Sequence, residues 1–289
     1  MSVEGMIVSG VGGFYDVLVE GKTVCCRLRG RFRQKENPVL VGDRVRFTWE
    51  DDSMGIIEEI HPRTSQLARP PIANVDMALI VMAAAAPSPD LLMLDRISIH
   101  ALNQGLMVAV CINKSDLDPV HAQQTAAIYA SLFPTVVVSV QDRLGLETLR
   151  TIVRDRLVTL AGPSGVGKSS LLNALHPGLS LATDQLSRKS QRGRHTTRTV
   201  TLFPIAGGLV ADTPGFSRLE MPPAMDPTEL TDCFPEFTAL AKACRFSGCL
   251  HHKEPNCAVK DAVATGCVHR QRYKHYLVFL SELLEKCFH

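Results

Sequence analysis

The sequence predicts a multidomain α/β protein with an N-terminal OB-type β-barrel, a central domain built on a mostly parallel sheet, and a helical C-terminal domain. Three observations predict this class: short strands separated by turns come first, apolar strands alternating with helices follow, and a cysteine-rich stretch precedes a helical tail. The expected domains are residues 1–66, 67–225 and 226–289.

Composition limits the classes of protein to which the chain can belong. Its 289 residues are 45% hydrophobic, which is ordinary for a soluble protein with packed cores. The net charge of +2 is small, so nucleic-acid binding must come from local basic patches. The longest apolar run, at residues 78–86, is too short to span a membrane, and residues 1–10 lack a signal-type segment. We expect a cytoplasmic monomer that has no membrane partner and no structural disulfides.

The first region carries short strands at the spacing of a small barrel. Turn signals at residues 12–13, 20–21 and 51–52 separate them. Five strands in this length suit an OB-type barrel. The predicted strands are residues 6–11, 15–20, 23–28, 44–49 and 55–60.

After residue 71 the strands become continuous apolar runs, as in parallel strands that are buried on both faces. Helical stretches lie between them, and this alternation predicts a doubly wound domain. The predicted strands are residues 75–81, 106–111, 135–140, 158–161 and 208–211. The predicted helices are residues 91–102, 120–131, 145–154 and 168–175, with a further helix at 228–240 and a helical tail in the last domain.

A glycine-rich loop between a predicted strand and a predicted helix has the P-loop pattern G-x-x-x-x-G-K-S. Its glycines allow backbone N–H groups to converge on phosphates, and the helix N-terminus adds a favourable partial charge. Lys168 can reach the β- and γ-phosphates, and the Ser169 hydroxyl can bind Mg²⁺. The predicted contacts are Gly162, Pro163, Ser164, Gly165, Val166, Gly167, Lys168, Ser169 and Ser170.

A second motif predicts the base. Asn113-Lys114-Ser115-Asp116 follows an apolar strand, at the end where α/β sheets bind ligands. An aspartate there can accept hydrogen bonds from N1–H and the exocyclic amine of guanine. Adenine lacks this pair of donors. Asn113 can contact the purine edge, the Lys114 stem can cover the base, and Ser139 can support its other side. Alone, this match also fits a helix cap after a strand, but the P-loop favours a nucleotide.

The order of the motifs is unusual, because Ras-like GTPases place the base motif after the P-loop. The same sheet forms if the chain ends are relocated, since domain termini often lie close together. A third element, Asp212-Thr213-Pro214-Gly215, is D-x-x-G, in which Asp212 holds Mg²⁺ through water and the Gly215 N–H contacts the γ-phosphate. We therefore predict a circularly permuted P-loop GTPase that binds GTP and GDP. Its D-x-x-G element leads into the C-terminal region, so nucleotide state can move that region.

The last domain contains a set of metal ligands with the spacing C-x4-C-x-H-x5-C. The candidates are Cys244, Cys249, His251 and Cys257. Three thiolates and one imidazole complete a tetrahedral zinc site with no open position, which is typical of a structural metal. His252 and Cys267 are rival ligands, because spacing alone does not decide among them.

These motifs together resemble the RsgA family, also called YjeQ, of circularly permuted GTPases that depend on the small ribosomal subunit. The resemblance covers nearly the whole chain and implies an OB-fold, a permuted GTPase and a zinc domain. It also implies a role in late maturation of the small subunit, which stimulates GTP hydrolysis. The family's often basic N-terminal extension is nearly absent here. The matching segments are 113–116, 162–169, 193–197, 212–216 and 244–257.

The residue that positions the attacking water must differ from that of Ras-like enzymes. They place a glutamine after D-x-x-G, whereas Phe216 stands there and cannot orient water. His195 is the substitute that the residues and the resemblance both indicate, and Thr197, or alternatively Thr196, would close on Mg²⁺. The other interpretation of His195 is an RNA-contacting loop residue, because its loop is very basic.

Two basic clusters are candidates for contacts with ribosomal RNA, although such runs are often only solvated surface. The first comprises Arg27, Arg29, Arg31 and Arg33, and the second comprises Arg188, Lys189, Arg192, Arg194 and Arg198. Two other functions remain open at this stage. One is a P-loop ATPase or kinase, which the base motif disfavours, and the other is a zinc-dependent RNA-binding scaffold without turnover.

Overall fold

The described part of the chain, in a computed structural model, consists of residues 2–30, 38–51, 53–68, 71–176, 200–212, 220–222 and 224–286. Ala68 and Asp212 are described through their backbone only. None of the described helices combines the length and the apolar character that a membrane crossing requires.

The N-terminal strands close into a five-stranded barrel in the order β1-β2-β3-β5-β4. All neighbours are antiparallel except β3 and β5, which run parallel. Side chains that alternate along these strands fill the interior, and Ile7, Phe47 and Ile57 are fully buried there. The predicted OB-type barrel is confirmed. Its strands are β1 (Ser2–Val11), β2 (Phe14–Val19), β3 (Lys22–Leu28), β4 (Arg44–Trp49) and β5 (Met54–Ile60).

The central domain contains a six-stranded sheet in the order β10-β9-β8-β11-β13-β12. Every neighbouring pair is parallel except β12 with β13, so the predicted mostly parallel sheet is confirmed. Apolar clusters cover both faces of the sheet, as expected for strands without polar alternation. The strands are β8 (Met77–Ala83), β9 (Met107–Asn113), β10 (Thr135–Val137), β11 (Leu157–Ala161), β12 (Thr201–Ile205) and β13 (Gly208–Asp212).

Helices and a small hairpin complete this domain. The hairpin, β6 (Gln66–Ala68) with β7 (Pro71–Ala73), lies between the barrel and the sheet in the sequence. The helices are α1 (Leu91–Asn103), α2 (Pro119–Tyr129), α3 (Leu146–Val153) and α4 (Lys168–Leu175). Side chains of Asp90 and Asp118 accept hydrogen bonds at the starts of α1 and α2, which fixes where those helices begin.

The C-terminal region is helical and has its own apolar core. The helix predicted at 228–240 is in fact two elements, a 3-10 helix (Glu229–Cys233) and α5 (Pro235–Ala241). Pro235 explains the break, because the residue before a proline is pushed out of the helical conformation, and Phe234 is extended with φ −118°. The remaining helices are α6 (Ala258–Thr265) and α7 (Arg270–Lys286).

A buried cluster of charges joins the C-terminal region to the central domain. The Arg272 guanidinium on α7, 1% exposed, donates to Asp95 on α1 at 2.6 Å and to Glu236 on α5 at 2.9 Å. The Tyr129 hydroxyl donates to the same aspartate at 2.9 Å, and His275 Nδ1 lies 2.6 Å from its other oxygen. Every charge in the cluster has a partner, so the two regions are packed through satisfied polar groups.

Candidate guanine-nucleotide site and metal centre

The sheet topology brings the nucleotide motifs to one edge. Strands β9, β8 and β11 are neighbours and run parallel, so their C-terminal ends meet on the same side. Asn113 ends β9, and the loop that starts at Gly162 follows β11 directly. The motifs are separated in sequence and inverted in order, yet they lie on adjacent loops.

A direct hydrogen bond joins the base motif to the P-loop. The Asn113 Nδ2 group donates to the Val166 carbonyl oxygen at 2.9 Å, and Asn113 is 2% exposed. Gly167 lies against the same amide, because a Cβ at that position would stand 2.4 Å from Asn113 Nδ2. Among the described residues the Asn113 Oδ1 atom has no hydrogen-bond partner, so a buried acceptor remains beside the P-loop. This geometry places the two motifs side by side, as a shared nucleotide site requires.

Ser139 orients the carboxylate of the base motif. Its hydroxyl donates to Asp116 Oδ1 at 2.8 Å, and the Asp142 backbone N–H donates to the Ser139 oxygen at 3.0 Å. Ser139 is fully buried, whereas Asp116 is exposed at the rim. The serine was predicted to support the base; in the structure its side chain contacts Asp116, the residue that is predicted to bind the base.

The P-loop has the backbone that its glycines predict. Gly162, Gly165 and Gly167 all have positive φ, at 134°, 83° and 95°. The first is also crowded, since a Cβ on Gly162 would lie 2.1 Å from the Val81 carbonyl oxygen. Helix α4 begins at Lys168, whose Nζ donates to the carbonyl oxygens of Gly162 at 2.8 Å and Pro163 at 2.7 Å. The lysine ammonium therefore lies along the loop that it is predicted to serve.

The loop after β8 forms a further wall that the sequence motifs did not indicate. The Lys114 Nζ donates to the Ala86 carbonyl oxygen at 2.5 Å. The Pro87 ring lies close to the P-loop, 3.7 Å from where a Gly165 Cβ would stand. Only the topology could have indicated this loop, because β8 lies between the two motif-bearing strands.

The cysteine-rich segment assembles a compact set of metal ligands. One ligand atom from each of Cys244, Cys249, His251 and Cys257 lies within 4.8 Å of all the others. The Cys244 sulfur is 3.9 Å from the Cys257 sulfur, and His251 Nδ1 is 3.6 Å and 3.3 Å from these two sulfurs. Tetrahedral zinc with Zn–S bonds of about 2.3 Å separates its sulfur ligands by about 3.8 Å. These donors therefore fit a zinc ion, and the cluster could hold such a metal.

The rival ligands lie elsewhere. Cys267 is exposed and contacts Thr265, and the His252 side chain is exposed. Neither belongs to the group of converging ligand atoms in the described part of the chain. The fold supports the converging set instead, because hydroxyls of Tyr273 and Tyr276 donate to the carbonyls of His251 and Leu250 at 2.7 Å and 2.9 Å.

Burial keeps Cys249 and His251 in their neutral forms when no cation is present. It raises the pKa of the Cys249 thiol to about 12, so a proton and not a bare charge occupies that thiol when no cation is present. Burial also lowers the pKa of His251, which keeps the imidazole in the neutral form that binds metals.

Comparisons with known proteins place the chain in a family. The RsgA GTPase family profile matches residues 60–222, and the RsgA N-terminal domain profile matches residues 4–57. A protein of Shouchella clausii (strain KSM-K16), named Small ribosomal subunit biogenesis GTPase RsgA, is 45% identical over 98% of each chain. A protein of the same name from Moorella thermoacetica (strain ATCC 39073 / JCM 9320) is 43% identical over 98% of each.

The chain belongs to the RsgA GTPase family. Membership identifies it as a GTP hydrolase, as the motifs predict.

Solved structures agree with the fold of this RsgA-family chain. The crystal structure of YjeQ from Thermotoga maritima superposes with a TM-score of 0.86 at 36% identity, covering 98% of this chain and 99% of that one. The structure of YloQ, described as a circularly permuted GTPase, gives a TM-score of 0.84 at 38% identity, covering 99% and 96%. The permuted order of motifs is thus a property shared with a solved relative.

The switch elements of this RsgA-family GTPase fall largely outside the described residues. Asp212 ends β13, which pairs with the P-loop strand β11, so its backbone stands next to the P-loop side of the sheet. The predicted residues outside the described part are His195, Thr196, Thr197, Gly215, Phe216 and the cluster from Arg188 to Arg198.

Two of the four arginines of the first basic cluster lie in the described part of the chain, and both form ion pairs with glutamates. Arg27 is on β3 and pairs with Glu50, and Arg29 pairs with Glu58 at 3.2 Å. Both pairs are exposed, so each contributes little to folding, and each arginine can exchange its partner for another anion. Arg31 and Arg33 lie outside the described residues. Both described arginines of this cluster are therefore held in ion pairs.

Proposed function

We propose that this GTPase binds the small ribosomal subunit and hydrolyses GTP to GDP and phosphate during late maturation of the subunit, which stimulates the hydrolysis. The observation that carries the nucleotide part is the 2.9 Å bond between Asn113 and the Val166 carbonyl, since it couples the base motif to the P-loop. The ribosomal part rests on the family resemblance and on relatives named for small-subunit biogenesis.

The nucleotide is held from both ends. Asp116 accepts hydrogen bonds from guanine, and Ser139 orients this aspartate. Asn113 contacts the purine edge, and the Lys114 stem covers the face of the base. Backbone N–H groups of the P-loop hold the phosphates, and the Lys168 ammonium exchanges its two carbonyl contacts for phosphate oxygens. The residues that bind are Asn113, Lys114, Asp116, Ser139, the loop 162–170, Asp212 and Gly215.

Magnesium accompanies GTP and neutralises the charge that develops on the phosphates. The Ser169 hydroxyl stands in the first turn of α4, one residue after the P-loop lysine, and would hold the ion together with Thr197. Asp212, at the end of the strand next to the P-loop strand, would act through water. Hydroxyl and carboxylate oxygens are the ligands that Mg²⁺ prefers.

His195 positions the attacking water in this proposal, because Phe216 replaces the glutamine of Ras-like enzymes. We predict that His195→Ala lowers the subunit-stimulated rate of GTP hydrolysis by about 100-fold or more, while GTP binding stays intact. Stimulated rates and GTP affinities of the two proteins provide the check. An unchanged stimulated rate would remove His195 from the mechanism and favour an RNA-contacting role.

The metal centre is structural. Zinc held by Cys244, Cys249, His251 and Cys257 would have no open position, so it would clamp the segment and take no part in hydrolysis. The remaining expectations are contacts with ribosomal RNA, a cytoplasmic location, a monomeric state and domain bounds of 1–66, 67–225 and 226–289.

The deciding experiment measures GTP and ATP hydrolysis with and without purified small ribosomal subunits. We expect slow GTP turnover alone, a large increase with small subunits, no increase with large subunits, and no ATP turnover. Efficient ATP hydrolysis would favour a P-loop ATPase or kinase. GTP turnover that small subunits leave unchanged would contradict the ribosomal role and leave the GTPase assignment standing.

A further inference from the structure

The metal-bounded loop Arg245–Gly248 presents an exposed aromatic side chain. The four residues between Cys244 and Cys249 are all exposed, and Phe246 is 43% exposed. Phe246 does not contribute to the C-terminal core, whereas Leu250 and Tyr273, farther along the chain, pack against it. The C-terminal core therefore does not cover this ring, which stays accessible for a contact outside the fold.

The loop also carries positive charge in a fixed arrangement. The Arg245 guanidinium lies 5.5 Å from the centre of the Phe246 ring, which is cation–π distance. Lys242, Lys253 and His252 are exposed in the same segment. The segment's one acid, Glu254, points inward, where its oxygens accept hydrogen bonds from the Leu250 and His252 backbones at 2.8 Å and 2.9 Å.

We propose that Phe246 and Arg245 form a base-stacking tip that binds an unpaired nucleobase of ribosomal RNA. The proposal rests on the ribosomal part of the function above and names the chemistry of one contact. Aromatic rings stack on the π-face of any base, arginine adds to the stack, and neighbouring lysines take phosphates. Cys244 and Cys249, which flank the tip, belong to the converging ligand set, so a metal bound there would restrain the tip and reduce the entropy lost on binding.

A protein partner fits this tip less well. Stable protein interfaces bury about 1,200–2,000 Å² around an apolar centre, whereas the tip is one ring flanked by charges and by the small residues Ser247 and Gly248. A Cβ at Gly248 would meet no other atom within 4 Å, so no other part of the described chain covers the loop at that residue.

The test compares Phe246→Leu, which keeps an apolar side chain without a π-face, with Phe246→Trp, which restores one. Val278→Ala is the matched control, because Val278 is 42% exposed on α7 of the same region. Each full-length protein is titrated against purified small ribosomal subunits and against a short single-stranded RNA that carries a fluorescent adenine analogue. Metal content and thermal unfolding verify that every variant is folded.

We expect Phe246→Leu to weaken binding to both probes by about tenfold and to remove the quenching of the stacked analogue, with Phe246→Trp and Val278→Ala close to wild type. Wild-type affinity of Phe246→Leu for both probes overturns the proposal. Loss of subunit binding alone, with RNA binding unchanged, also overturns it and points to a protein partner. If wild type binds RNA through Phe246 but no small subunit, the ribosomal function fails and the stacking tip stands.

Discussion

At the scale of single residues, the contact between Gly167 and Asn113 connects the two halves of the nucleotide site. Gly167 has φ 95° and leaves room for the asparagine amide, which in turn bonds to the P-loop backbone. A side chain at 167 would push these loops apart, although each motif would remain complete in sequence.

We predict that Gly167→Ala lowers GDP and GTP affinity by about tenfold or more, because losing a buried hydrogen bond costs about 1–3 kcal/mol. Gly105→Ala is the matched control, since Gly105 lies in the same domain at φ 71° with nothing within 4 Å of a Cβ. Both changes carry the left-handed strain of about 1–2 kcal/mol, but only the first has a clash. Equal affinities of the two variants, measured by calorimetry, would show that this contact does not matter.

Motif residues could be predicted from the sequence because they carry chemistry at fixed spacing. The same logic found the candidate ligands Cys244, Cys249, His251 and Cys257, yet it could not exclude Cys267. Exclusion needed the structure, in which Cys267 is exposed and lies outside the converging ligand atoms. The Lys114 contact with the Ala86 carbonyl was also unpredictable, because no local pattern states which loops meet.

At the scale of elements, the apolar runs predicted most strands of the central sheet. The strands that were missed or misplaced have physical reasons. Strand β12 was missed because its sequence includes Pro204 and only partial alternation, as tolerated at a sheet edge. Strand β10 ends at Val137, three residues before the prediction, since Ser139 and Leu144 form a separate bridge there. The packing of α7 against α1 could not be predicted, because an apolar face on a helix does not indicate which element covers it.

That docking leads to a prediction about stability. Arg272→Met leaves Asp95 and Glu236 buried without their partner, which we expect to destabilise the C-terminal region by about 3–5 kcal/mol. Arg29→Met, which breaks only the exposed pair with Glu58, should cost about 1 kcal/mol or less.

Urea unfolding followed by circular dichroism and by fluorescence checks this prediction. The chain's one tryptophan, Trp49, is in the barrel, so its fluorescence reports on that domain alone. Arg272→Met should shift the helical signal and leave the fluorescence transition in place. Similar losses in the two variants would mean that the buried cluster adds nothing to stability.

At the scale of the whole molecule, side-chain contacts as well as the covalent chain connect the C-terminal region to the central domain. Arg96 on α1 makes a two-bond contact with Glu282 on α7, each bond at 2.6 Å, beside the Arg272 cluster. His100 Nε2 contacts the Glu220 carbonyl at 2.6 Å where the chain enters this region. Any movement that nucleotide state causes there must therefore break these contacts or carry α1 with it.

The proposed zinc site gives a second test at this scale, because its metal can be removed selectively. We predict about one zinc per chain in wild type and in Cys267→Ser, and loss of zinc in Cys257→Ser. Loss should expose the segment 244–257 and loosen α7 while the barrel and sheet stay protected, since the tyrosines bond to carbonyls of that segment. Elemental analysis and hydrogen exchange measure both effects. Zinc loss in Cys267→Ser would overturn the ligand assignment.

The central claim, that the permuted motifs share one guanine nucleotide, is tested most directly by Asp116→Asn. An amide in place of the carboxylate donates to the carbonyl of xanthine where guanine carries its amine, so preference should move from GTP to XTP. Asp118→Asn is the control, because this nearby carboxylate caps α2 and asparagine caps equally well. We predict that Asp116→Asn loses GTP affinity by about 100-fold or more and gains XTP hydrolysis, while the control keeps GTP. Unchanged GTP turnover without any gain for XTP would contradict the account.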